Sequence, residues 1–181
     1  MTPTTIDPAQ QFAAELSHPT PARLALAIAR IAYPDLVIED YLAQIDEMSA
    51  KIAPSVTQAG AGGVRALTLV QALRLELGLR GNVEKYYDAA NSYLNVVMAR
   101  RTGLPIMLSL LLVTIGQGLG LSIEGVGFPG HFMVRYEDEE GTWFLYPFHG
   151  AVMTPYDVPA YFYKLFGQAS LNLDRGVYWP V

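Results

Sequence analysis

Arg101-Thr102-Gly103-Leu104-Pro105 opens a stretch that runs on to Tyr136 as RTGLPIMLSLLLVTIGQGLGLSIEGVGFPGHFMVRY and changes periodicity partway along. Pro105 suits the first turn of a helix, where its missing N–H would have had no partner. From Ile106 to Ile115 apolar residues sit on every side of the helical wheel, which marks a helix surrounded by protein rather than one lying on a surface. Gly116, Gln117, Gly118 and Gly120 crowd its far end. The uncharged run from Thr102 to Ile123 has the length of a membrane span, but Pro105 and the glycines leave a purely apolar heart of roughly ten residues, too short to cross a bilayer. Beyond Gly120, Leu121 to Phe128 and His131 to Tyr136 are short runs rich in branched and aromatic residues, divided by Pro129-Gly130. They read as strands.

Downstream, Thr142 to Tyr146 (TWFLY) follows the acidic turn Glu137 to Gly141 and completes an antiparallel meander of three strands. Thr154-Pro155-Tyr156-Asp157 has the spacing of a capping box with proline in the first helical position, so a short helix should run to Phe166 and stop at Gly167. Upstream the chain is helical. Pro21 to Ala32 is rich in Ala and Leu and ends before Pro34. Leu42, Ile45, Met48 and Ile52 form one apolar face, with Glu39, Asp40, Asp46, Glu47 and Lys51 on the others. Ala59 to Gly63 reads as a flexible connector, and Val64 to Leu77 as a third helix closed by Gly78. Asn91 or Ser92 is expected to cap a short helix that ends at Arg100-Arg101-Thr102-Gly103. Helices first and strands after, with one central helix packed on a short antiparallel sheet, make an α+β fold. The expected organisation is an N-terminal segment 1–19, a domain over 20–166 and a C-terminal tail 167–181 packed on it.

The 181 residues are 51% hydrophobic and 16% charged, enough apolar material for one core and far from a disordered composition. A net charge of -5 argues against general nucleic-acid binding. With no cysteine, disulfides, thiolate metal sites and a thiol nucleophile are excluded. The N-terminus lacks a basic region followed by an apolar run, so no secretory signal is expected and the protein is read as cytoplasmic.

Three histidines are available. His18 lies in a polar stretch and reads as solvated; His131 and His149 can approach each other across adjacent strands. No third ligand at metal-binding spacing accompanies them, so neither metal nor cofactor is expected. Ser109 is a candidate nucleophile for His131, although a helical serine ordinarily bonds back to a carbonyl one turn earlier and no strand-to-helix elbow exposes this one. Arg100 and Arg101 beside Asp88 and Asn91 form the densest polar cluster. It reads either as an arginine bridging a carboxylate and loop carbonyls, or as an anion or peptide-terminus site. Trp143, Tyr146, Phe148, Tyr156, Tyr161, Phe162 and Tyr163 are assigned mostly to the core.

The run YYDAANSYLNVVMARRTGLPIMLS, followed by GLGLSIEGVGFPGHFMVR and then YPFHG, resembles the SirB-type protein family, a branch of the transglutaminase-like superfamily. The resemblance covers roughly residues 20 to 165 and implies a papain-like arrangement. Active members use Cys, His and Asp in that order, with the Cys at the N-terminus of the central helix, where the helix dipole lowers the thiol pKa. The matching positions in this sequence are Pro105, His131 and Tyr146. Two of the three are chemically empty, and a surviving His does not restore a lost nucleophile.

The resemblance therefore implies a domain without catalysis that binds a peptide or protein in a cleft lined by Asn91, Arg101, Pro105, Ser109, His131 and Tyr146. Nucleic acid and membrane are not among the expected partners. One alternative is a peptidase- or amidase-like hydrolase using Ser109 and His131, with Glu124 orienting the imidazole. A second is a structural or regulatory partner acting through the exposed face of the helix that carries Leu42.

Overall fold

In the computed structural model the described residues are 8–17, 19–128, 131–166 and 179–180. Helix α1 (Pro8–Glu15) docks on α2 (Pro21–Ala32), where Glu15 meets Arg23 at 2.8 Å and Arg30 at 3.5 Å. The Thr20 hydroxyl caps α2 by accepting from the Arg23 amide at 3.2 Å. Helix α3 (Ile38–Gln58) buries Ile45, Met48, Ile52 and Val56, the face marked by the three- and four-residue spacing.

The expected connector over 59–63 is shorter than its composition suggests, because α4 (Gly62–Leu75) takes in both Gly62 and Gly63. Gly62 turns at φ 66°, and its amide donates to Asp138 Oδ2 at 2.7 Å. Helix α4 ends two residues before Leu77, whose amide returns to the Ala72 carbonyl at 3.1 Å ahead of Gly78 at φ 71°.

The expected caps move as well. Asp88, not Asn91 or Ser92, caps the 3-10 turn Ala89–Ser92 by accepting from the Ala90 amide at 3.0 Å. Helix α5 (Leu94–Arg100) begins without a side-chain cap and stops at Arg101, the left-handed residue at φ 58°, before Gly103 is reached.

Strands β1 (Arg80–Gly81) and β2 (Thr102–Gly103) pair in parallel and lead into α6 (Pro105–Gly118). This is the expected buried helix: Leu108, Ser109, Leu111, Leu112, Val113 and Ile115 are buried. It packs on the sheet, where the absence of a Cβ at Gly116 lets Ile123 approach; an added Cβ would lie 2.9 Å from Ile123 Cγ2.

The expected meander is β3 (Ser122–Phe128), β4 (His131–Asp138) and β5 (Gly141–Tyr146), antiparallel in register Phe128 to His131 and Val134 to Leu145. Two further strands join it, β6 (Ala151–Met153) beside β5 and β7 (Trp179–Pro180) beside β3, in the order β6-β5-β4-β3-β7. Both are too short to carry a strand pattern of their own. Helix α7 (Val158–Phe166) starts later than expected. The Asp157 carboxylate does accept from the Thr154 amide and hydroxyl, at 3.0 and 2.6 Å, but Pro155 lies in the turn before the helix. His18, the Pro129-Gly130 turn, the stop at Gly167 and most of the tail 167–181 lie outside the described residues. No helix among those described is long and apolar enough to cross a membrane.

Gly103 sets how closely the β1–β2 ladder can sit on α5, since a Cβ there would fall 2.6 Å from Val97 Cγ2. Gly103→Ala should therefore overpack the core and cost about 1–3 kcal/mol. The expected result is a lower urea midpoint with an unchanged slope.

Candidate functional site

Pro105 is buried at the head of α6, and the preceding Leu104 amide donates to the Asn91 carbonyl at 3.4 Å. Asn91 is 1% exposed, and its side chain is fully used. Nδ2 donates to the Lys85 and Tyr86 carbonyls at 2.7 and 3.1 Å, and Oδ1 accepts from Asn82 Nδ2 at 2.9 Å. The Asn91 amide thus ties the 82–86 loop to the head of the central helix. The bridging role expected of one arginine is divided. Arg100 takes the carboxylate, Asp88, at 3.2 Å, and Asn91 takes the loop carbonyls. The Arg101 guanidinium instead lies 3.6 Å from Met48 Sδ on α3.

His131, half-buried at the start of β4, and Tyr146, 4% exposed at the end of β5, come together edge to face with ring centres 6.3 Å apart. His149 meets the same tyrosine ring at 5.3 Å and 84°, so the two imidazoles do approach each other, through Tyr146. Phe162 of α7 lies 5.2 Å from His131, and Tyr161 places its hydroxyl 3.0 Å from His149 Nδ1.

Phe148 connects this cluster to the head of α6. Its ring is 6.3 Å from Tyr146 and lies over Gly81, where a Cβ would be 2.5 Å from Phe148 Cδ2. Gly81 pairs with Gly103, two residues before Pro105. Tyr86 closes the group, 5.9 Å from Phe148. Of the aromatic residues assigned to the core, Tyr156 and Tyr163 are instead 93% and 57% exposed. Each occupies an outward-facing position, on the turn before α7 and on α7 itself.

Burial pushes the His131 pKa below 6.5, and the neighbouring His149 adds to the shift. Burial and then Arg74 push His149 the same way. Burial, followed by the phenols of Tyr161 and Tyr86, raises Tyr146 to about 12. Burial also raises Tyr161. At neutral pH this cluster carries two uncharged imidazoles and un-ionised phenols. Beside His131, Tyr146 presents a phenol and not a carboxylate.

Ser109 is 0% exposed, and among the described residues its Oγ has no hydrogen-bond partner, neither an imidazole nor the carbonyl one turn back. In this it differs from Ser49 and Thr114, which bond back to Ile45 and Leu110 at 2.9 and 2.8 Å. Glu124 is engaged by Arg135 at 2.7 Å. Among the described residues no three His, Asp or Glu side chains form a metal-binding group.

Sequence reasoning missed Phe162, Tyr161 and Arg74 as neighbours of the site. The one local signal was YPFHG, which puts Phe148 and His149 directly after Tyr146.

Comparison with known proteins agrees with the fold. A family model described as Transglutaminase-like superfamily matches residues 39–181. A UPF0162 protein of Xylella fastidiosa is 36% identical over 126 residues, 70% of this chain and 45% of that protein. A UPF0162 protein of Vibrio cholerae is 32% identical over 87 residues, 48% of this chain and 32% of its own length. F-box only protein 21 of Homo sapiens is 48% identical over 61 residues, 34% of this chain and 10% of that protein. The chain spans about half the length of the Xylella relative. No solved structure matches.

The depressed imidazole pKa values carry a stability signature. The unfolded chain binds more protons than the folded one between the native His131 pKa and 6.5. The contribution is complete above 6.5 and is lost as pH falls through that window. Urea midpoints of the wild type should drop between pH 7.5 and 5.5, and His131→Phe should show a smaller drop over the same interval.

Proposed function

We propose that this chain, which belongs to the transglutaminase-like superfamily, is a non-catalytic member that binds a peptide or protein in the vestige of the active-site cleft. The observation that carries the reading is Pro105. A buried proline heads the central helix, at the position the family resemblance assigns to the nucleophile, in a chain that contains no cysteine. Tyr146 at the third position supports it, because a phenol raised to about 12 cannot supply a counter-charge to an imidazolium near neutral pH.

The motifs NSYL, RRTGLPI and GFPGHF resemble those of the SirB-type branch, which supports this reading. The acting module is 20–166, flanked by 1–19 and 167–181, and works in the cytoplasm without cofactor or metal. The binding surface centres on the half-buried His131; Tyr146, Asn91, Pro105 and Ser109 are buried and support it from within, and Arg101 turns to Met48 on α3. The hydrolase reading has little to rest on, since a sealed, unbonded Ser109 hydroxyl has no base to activate it.

Two measurements test the proposal. Incubation with an amine donor and a glutamine peptide, with and without calcium, should yield no cross-link, and a fluorophosphonate probe should leave Ser109 unlabelled. A peptide array probed with wild type and His131→Ala should show ligands whose binding weakens by about tenfold or more in the variant. Turnover in the first assay, or binding indifferent to His131 in the second, would overturn it.

A further inference from the structure

We infer that Arg74 and His149 form a carboxylate-recognition site at the rim of the cleft, suited to the C-terminal carboxylate of a peptide. This rests on the proposed reading of the cleft as a peptide site, and names the chemical group that it would hold.

Two other cations near the site are already occupied. Arg100 is paired with Asp88, and Arg135 with Glu124 and Glu137. Arg74, in the last turn of α4, has no ion pair and no hydrogen bond among the described residues. Its position at a helix C-terminus is favourable in itself, but that does not account for where the guanidinium lies. The group rests on Gly150, where a Cβ would be 2.7 Å from Nη1 and 3.0 Å from both Cδ and Cζ. Gly150 also sits at φ 74°, so backbone conformation and space both require glycine. This close approach brings the cation beside His149, whose own protonation it disfavours.

The imidazole is fixed in turn. Tyr161 OH lies 3.0 Å from His149 Nδ1, and with burial keeping that phenol protonated it can donate to the ring. An imidazole whose Nδ1 accepts carries its proton on Nε2, so His149 remains a donor while uncharged. A guanidinium and an imidazole N–H side by side make a donor set for one carboxylate, with the planar fork taking both oxygens.

Among the described residues, the groups besides burial that shift His131, His149 and Tyr146 are His149, Arg74 and the phenols of Tyr161 and Tyr86. The buried rings of Tyr146 and Phe148, 5.3 and 5.1 Å from His149, pack edge-on against the imidazole and hold it in place. The anion site, one of two readings of the Arg100–Arg101 cluster, is thus assigned instead to Arg74, a cation with no ion pair or hydrogen bond among the described residues.

N-acetyl-phenylalanine and its amide, added to the intact chain, test the inference through the NMR signals of the His149 and His131 rings. The acid should shift His149 saturably, and the amide should bind about tenfold more weakly. Arg74→Gln should bring the acid down to the level of the amide, Arg74→Lys should retain part of the difference, and circular dichroism should be unchanged in both. Equal binding of acid and amide, or an unaltered response in Arg74→Gln, overturns the carboxylate site. So does a larger His149 shift from inorganic phosphate than from the acid. If acid and amide both move His131 equally, the carboxylate site falls while the peptide-cleft reading stands. If neither imidazole responds, the inference falls, and the peptide array decides the cleft reading separately.

Discussion

The arrangement of this domain depends on covering α6. Its residues are apolar on every side, so no orientation leaves a face that water can occupy cheaply. Helices pack it on one side and strands β3 and β4 on the other, with Leu108, Leu111, Leu112 and Ile115 all 0% exposed. Burial of a leucine-sized side chain is worth roughly 1.5–3 kcal/mol, so this one helix contributes a large share of the apolar driving force. A segment enclosed in this way cannot shift its head without opening the core. Pro105 and the chain entering it are therefore held at a fixed point.

Glycines set the distance between that point and the aromatic cluster. Gly81 and Gly103 face each other in the short parallel ladder, the first leaving space for Phe148 and the second for Val97. The two close approaches bring the end of the meander within two residues of the helix head. Asn91 does the complementary polar work. It satisfies two loop carbonyls and the Asn82 amide from a buried position, where an unmade hydrogen bond would cost about 1–3 kcal/mol. Packing and hydrogen bonding therefore fix the same loop from opposite sides.

The electrostatic character of the cleft follows from what surrounds it. Among the described residues His131 lies against Tyr146 and Phe162, and burial favours its neutral ring. Carboxylates elsewhere are spent on structure: Asp138 receives the Gly62 amide and the Tyr136 hydroxyl, each at 2.7 Å, and Glu124 holds Arg135. Both imidazoles are thereby held uncharged near neutral pH, with Arg74 the cation beside His149.

The elements that were legible in the sequence are those whose signal is local. Helix α2 runs from Pro21 to Ala32 as read, α6 starts at Pro105, and the three strands of the meander lie where branched and aromatic runs mark them. Boundaries failed where a distant partner intervened. Gly62 and Gly63 read as connector because nothing local reveals that Asp138, 76 residues away, receives the Gly62 amide. Strands β6 and β7 are too short to announce themselves and exist only because a neighbouring edge offers hydrogen bonds. The site divides the same way. That the chain has no cysteine, and that proline heads the central helix, could be read from the sequence. That Arg74 would lie over Gly150, that Phe162 would lie against His131, and that Ser109 would be sealed without a partner were decided by the tertiary structure. Periodicity and turn chemistry act over a few residues, whereas these contacts join segments that only the packing of helices on a sheet brings together.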